Sequence, residues 1–227
     1  MSKKTDLAMY DLSSVFDLEE ATAIRPGASI LVTGPPMVGR DDLALAVLAR
    51  GIENGEGAIA VTTDGSATDT IEELRRRTAT FDGHRIAAID CRADGGREED
   101  TLDDGAVAHR VASPSDITGI GIGITKSIER LHDVGANKAR LGLTSLSTMI
   151  TYTDQQTVFK FCHVLSSRLD SAGFLGVFTI DSNAHDEQTI QVIKQAFDGI
   201  VELREREGTR EARLGGLQPQ PSEWVEL

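Results

Sequence analysis

Ser29-Ile-Leu-Val-Thr-Gly34-Pro-Pro-Met-Val-Gly39-Arg40-Asp41 is the stretch on which the fold turns. Ser29 to Thr33 is an apolar run, and a helix-patterned run from Leu43 to Arg50 follows. Between a strand and a helix, G-x-x-x-x-G-K-[ST] forms a phosphate-binding loop: backbone N–H groups cradle phosphates, the Lys reaches the β- and γ-phosphates, and the hydroxyl ligates Mg²⁺. Both glycines, Gly34 and Gly39, are present, with Pro35, Pro36, Met37 and Val38 between them. Arg40 stands where the Lys belongs and Asp41 where the Ser or Thr belongs. The architecture predicts a nucleotide loop, and its two chemistry-bearing side chains depart from one.

Outward from this stretch, short apolar runs alternate with helix-like segments, the pattern of a parallel sheet covered by helices. Strands are expected at Ser29 to Thr33, Ala58 to Thr62, Arg85 to Asp90, Ala139 to Leu143, Gly176 to Ile180 and Gly199 to Glu202. Helices are expected at Asp41 to Glu53, Ser66 to Thr80, Ile120 to Val134, Gln155 to Ala172 and Glu187 to Ala196. In the fourth helix Val158, Phe161, Cys162, Leu165 and Leu169 recur at spacings of three and four, with Asp154 as N-cap and Gly173 as stop. Glu202 to Gly216 reads as a C-terminal hairpin turning near Glu207-Gly208. The fold class is α/β, one domain over 1–227 with its core at about 11–217. Residues 94–115 lack apolar periodicity and are expected to be a solvated excursion, and 218–227 a tail that Trp224 anchors.

Three further stretches give the chain a resemblance. Pro26-Gly27-Ala28 leads into the loop strand, Val61-Thr-Thr-Asp64 ends the next strand, and Arg140-Leu-Gly-Leu-Thr-Ser-Leu-Ser147 lies on a later one. In this order they resemble the RecA-superfamily ATPases, especially the archaeal KaiC-like branch and its haloarchaeal members, from about Asp11 to Trp224. The resemblance implies a three-layer RecA-like domain with ATP and Mg²⁺ as ligands. It places Asp64 at the position of the acid that activates water. Thr144, followed by Ser145, falls on the Walker B position, where the family carries a metal-handling Asp. Asp181, ending an apolar strand, is a candidate γ-phosphate sensor or an Asx-type turn.

The departures have physical consequences. Arg40 keeps the charge but presents a planar fork instead of a compact ammonium. Asp41 lacks the hydroxyl and sets a carboxylate near the β-phosphate, and Thr144 is neutral. At about 1.5–3 kcal/mol for each lost charged contact, losing two weakens Mg-nucleotide binding by roughly 10²–10⁴. The expected protein is therefore a regulatory pseudo-ATPase, for which neither ATP nor Mg²⁺ is required. A working ATPase with a non-standard loop is the alternative, in which Asp41 assumes the metal role. A DNA-associated recombinase paralogue is a second alternative.

Composition narrows the partners. A net charge of -13 argues against nucleic acid, whose affinity depends on Lys and Arg neutralising phosphates. The acidic excess predicts a high-salt cytoplasm, where charge repulsion is screened. Cys91 and Cys162 fit no metal or disulfide spacing, and no residue set is assigned to a metal. No stretch reaches the apolar length of a membrane span. A protein partner or self-association is expected. Arg75-Arg76-Arg77, the densest basic cluster, is expected to make local ion pairs.

Overall fold

Ser29–Gly34 is uncharged and buried along its whole length, so its strand, β1, must be covered on both faces. The computed structural model describes residues 9–17, 21, 23–92, 99–217 and 220–227. The strands are β1, β2 (Gly57–Thr62), β3 (Ile86–Asp90), β4 (Glu99–Thr101), β5 (Val107–Arg110), β6 (Ala139–Thr144), β7 (Leu175–Asp181), β8 (Gly199–Arg206), β9 (Thr209–Gly215) and β10 (Val225–Glu226). They form one sheet in the order β10-β9-β8-β1-β7-β6-β2-β3-β5-β4. Every pairing from β8 across to β5 is parallel. The antiparallel additions are β4 at one edge and the β8–β9–β10 meander at the other.

Among the described residues the α-helices are α1 (Ser13–Phe16), α2 (Arg40–Glu53), α3 (Ala67–Arg77), α4 (Ile117–Asp133), α5 (Leu146–Tyr152), α6 (Gln155–Ala172) and α7 (Glu187–Lys194). Side chains alternate across a strand, and the core divides accordingly. Leu31, Ile59, Val61 and Ile89 pack with residues of α4 to α7. Ile30, Val32 and Val177 meet Ala44 and Val47 of α2, while Ala58, Ala60 and Ala88 meet Ile71 and Leu74 of α3. The result is the expected three layers, with α2 and α3 on one face and α4 to α7 on the other.

Local signals act as their chemistry requires. Asp154 accepts the Thr157 N–H at 2.9 Å to start α6, and Gly173 ends it at φ +70°. The stripe of Val158, Phe161, Cys162, Leu165 and Leu169 is buried. The β8–β9 hairpin turns through Glu207 (φ +56°) and Gly208 (φ +82°), the paired left-handed geometry that matches strand twist. The guanidinium groups of Arg204 and Arg213 lie over the Trp224 ring, 3.9 and 4.8 Å from its centre. Arg75, Arg76 and Arg77 pair with Glu72, Glu73, Asp104 and Asp42, as expected of a basic cluster amid acids.

Two expectations need correction. Of the stretch read as a solvated excursion, residues 94–98 lie outside the described residues, and much of the remainder is built into the sheet. Only β4 is exposed throughout. Ala106, Val107 and Ala108 are buried, and β5 pairs in parallel with β3. A four-residue strand of Val107-Ala-His-Arg is too short, and its alanine too small, to produce a periodic signal. The tail likewise carries β10, paired with β9.

His109 of β5 makes this edge pH-sensitive. Its side chain is 8% exposed and its Nδ1 lies 3.3 Å from Glu99 Oε2. Burial pushes the imidazole pKa down, with Lys126 and Arg130 adding to the effect and Glu99 opposing it. The unfolded chain then holds a proton that the folded one rejects. Stability is full above the ordinary His value of about 6.5 and is lost as pH falls through the lowered folded value. Urea melts at pH 7.5 and 5.5 are expected to show the loss, and His109→Gln to remove that component.

Candidate functional site

β1, β7, β6 and β2 are consecutive in the sheet, and their carboxyl ends align. Gly34 is in register with Asp181 and Thr62 with Thr144. In α/β sheets this edge is where ligands bind. The sequence-predicted residues Gly34, Asp181, Thr144 and Asp64 therefore all belong to one edge.

Packing fixes Gly34, and a left-handed backbone fixes Gly39. A Cβ on Gly34 would lie 2.9 Å from Leu203 Cβ and O and from Val38 Cγ1. Gly39 caps α2 in the left-handed region at φ +88°, and a Cβ there would lie 2.5 Å from Arg210 Nη1. Between them Val38 is buried, whereas Met37 adopts φ +63° and is 99% exposed. Pro35 and Pro36 have no backbone N–H, so the first half of the loop offers a phosphate little.

Arg40 does not reach outward. Its Nη1 donates to the Gly34 carbonyl at 2.7 Å and lies 3.5 Å from Asp181 Oδ1, with its side chain 11% exposed. The Ser182 N–H donates to the same carbonyl at 2.9 Å. The guanidinium thus ties the loop's last turn to its first residue and to β7. Asp41 is engaged as well: its Oδ1 accepts the hydroxyl proton of Thr179, a fully buried residue, at 2.6 Å.

Asp41, Asp64 and Thr144 line one small cleft of about 140 Å³, together with Thr62 and Thr70. Asp64 is exposed at the rim, where its Oδ1 accepts from Thr62 Oγ1 at 3.2 Å, and that oxygen accepts the Gly65 N–H at 3.0 Å. Ser145 donates its N–H to Thr63 Oγ1 at 3.0 Å, and Thr63 N–H donates to the Thr144 carbonyl at 2.8 Å. These bonds stitch the ends of β6 and β2 together. Asp181 Oδ1 accepts the Asn183 N–H at 2.8 Å in an Asx-type turn, while its own N–H donates to Ser147 Oγ at 2.9 Å.

Two contributors lie outside the loop motif, and His185, which beside Asp186 and Glu187 reads as a solvated helix-start residue, is one of them. His185 Nε2 lies 2.9 Å from Ser147 Oγ, extending the Arg40–Asp181 contact towards α7. Burial lowers the His185 pKa while Asp181 and Asp186 oppose it. Arg210, on β9, covers Gly39. Neither lies at a motif spacing, since only strand order brings these residues beside the loop.

A magnesium nucleotide fits this donor set poorly. No hydroxyl stands at position 41, no carboxylate stands at 144, and the cation at 40 is bonded to the loop's own carbonyl. Among the described residues no group of three His, Cys, Asp or Glu side chains is placed to hold a metal ion. Nor is any helix long and apolar enough to cross a membrane.

Among solved structures, the chain is similar to a KaiC-like protein, PH0186, from the hyperthermophilic archaeon Pyrococcus horikoshii OT3. The TM-score is 0.59 at 14% identity, covering 91% of this chain and 84% of that one. At that identity the likeness establishes the fold, which is of the KaiC-like RecA type. No curated protein matches the chain. Residues 27–203 match the model of a family described as one of unknown function, DUF7504, and the chain belongs to that family.

Proposed function

We propose that this is a regulatory pseudo-ATPase: a RecA/KaiC-like domain whose loop binds nucleotide weakly or not at all and which acts through protein contacts. One observation carries the reading. Arg40, at the position that should reach phosphate, donates to the Gly34 carbonyl and faces Asp181, so its charge is committed within the fold. The degenerate positions Asp41 and Thr144 support it, because together they remove both protein anchors of the Mg²⁺ shell. The acidic composition fits a haloarchaeal-type, high-salt cytoplasm.

A working ATPase is the second reading, favoured by the convergence of Asp41 and Asp64 on one cleft. Phosphate release from Mg-ATP at high KCl separates the two. For the pseudo-ATPase, the wild-type protein and Asp64→Asn give the same rate as the protein-free blank. Release that Asp64→Asn abolishes establishes the ATPase. The DNA-associated reading is disfavoured by the charge of -13, and it requires salt-dependent retention of DNA in a shift assay.

A further inference from the structure

α4 and α6 lie side by side on the sheet, and the groove between them, about 540 Å³, opens to solvent. Buried Ile124, Phe161 and Leu165 line it, together with Ile122 and Val164, which are 49% and 65% exposed. Gly121 leaves the α4 backbone bare on one wall, where an added Cβ would meet nothing within 4 Å. A partner backbone can therefore approach closely at that point. The groove follows α4 from Ile117 to Thr125 and α6 from Thr157 to Arg168, about 12–16 Å at helical rise. That is the length of two to three turns of a third helix.

Charge identifies the occupant. The chain has 36 acidic and 23 basic residues, yet the groove's charged residues are Lys160 and Arg168, with no acid among its lining. Neither makes an ion pair within 4 Å among the described residues, and Arg168 spends one Nη1 donor on Thr125 Oγ1. An apolar trough rimmed by cations, on a strongly acidic protein, complements an amphipathic helix with acidic flanks. A two-fold contact with a second copy would instead set Lys160 and Arg168 against themselves. An anionic membrane would repel the remainder of the molecule.

We propose that the α4–α6 groove is a docking site for an acidic amphipathic helix of another protein. The proposal rests on the reading that the domain acts through protein contacts, and it fails separately from the nucleotide reading because it involves no residue of the loop. The probe is a labelled 15-residue helical peptide with a Leu stripe flanked by Glu, compared with a twin flanked by Lys. Anisotropy is read at the lowest KCl concentration at which circular dichroism shows the chain folded, because surface charges act over only about 3 Å at 1 M salt. The full chain is expected to bind the Glu peptide about tenfold more tightly than its twin. Lys160→Glu/Arg168→Glu is expected to reverse the preference, and Val164→Glu to weaken both peptides, with unchanged thermal melts confirming intact folds. Equal affinity for the two peptides overturns the proposal, as does a preference that survives charge reversal. A wild-type dimer that Val164→Glu dissociates in sedimentation overturns it too, and assigns the groove to a second copy.

Discussion

Arg140→Ala is expected to lower unfolding stability by about 3–5 kcal/mol, the usual cost of stripping one partner from a buried ion pair. Arg140 is an arginine in the middle of the sheet with a side chain 0% exposed. Its Nε lies 2.7 Å from Glu56 Oε2, its Nη2 3.4 Å from Oε1, and its Nη1 donates to the Val47 carbonyl at 3.0 Å. Gly51 exists to make room: a Cβ there would lie 2.8 Å from Arg140 Cδ and Nε. Around the pair, Lys138 Nζ sits 3.5 Å from Glu56 and 4.2 Å from the Tyr10 ring centre. Tyr10 is itself so buried that its hydroxyl pKa is pushed up to about 12. Without Arg140, Glu56 keeps its desolvation penalty and only Lys138 to offset it.

Such a loss is a large fraction of the roughly 5–15 kcal/mol that holds a domain together. At about 2–4 °C per kcal/mol it lowers Tm by about 6–20 °C. Arg140→Met combined with Glu56→Leu is expected to recover most of it, because two apolar groups leave no fully buried charge unpaired and Lys138, which loses its carboxylate, is 28% exposed. Denaturant melts of the single and double variants check both statements. A single-variant loss below about 1 kcal/mol would show that the pair is solvated.

The second large effect concerns the loop. Arg40→Lys/Asp41→Thr/Thr144→Asp is expected to tighten Mg-ATP binding by roughly 10²–10⁴. The Lys removes the fork that grips Gly34 and frees a compact cation, the Thr restores a hydroxyl ligand, and the Asp supplies the carboxylate β6 lacks. EDTA should abolish the gain, since two of the three changes act through the metal. Arg40→Lys alone should give little, because Asp41 would still face the phosphate. A triple variant with no gain would place the fault in the cradle itself, where Pro35 and Pro36 supply no donors.

Much of the fold was legible because it rests on local chemistry. Alternating apolar runs marked the central parallel strands, and Asp154, Gly173 and Glu207-Gly208 marked boundaries through caps and a turn. What escaped depends on distant partners. β5 is a short strand that gains its place from β3 and the α3 layer. Arg140 reads as an anomaly in a buried strand until Glu56, 84 residues away, is beside it. At the candidate site the sequence located the loop and its odd side chains. It held no sign that Arg40 turns inward to Gly34, because that depends on where β7 sets Asp181. The bond from His185 to Ser147 and the cover that Arg210 gives Gly39 likewise depend on distant partners, and a His beside two acids at a helix start reads only as solvated.

Calorimetric titration of the wild-type protein with Mg-ATP at high KCl tests the latched, metal-poor loop most directly. The expected result is no saturable heat at micromolar nucleotide, with any binding confined to the millimolar range or weaker. Saturation at micromolar Mg-ATP that Asp41→Asn removes would contradict it, because Asp41 would then be holding the metal that the loop is held to have lost.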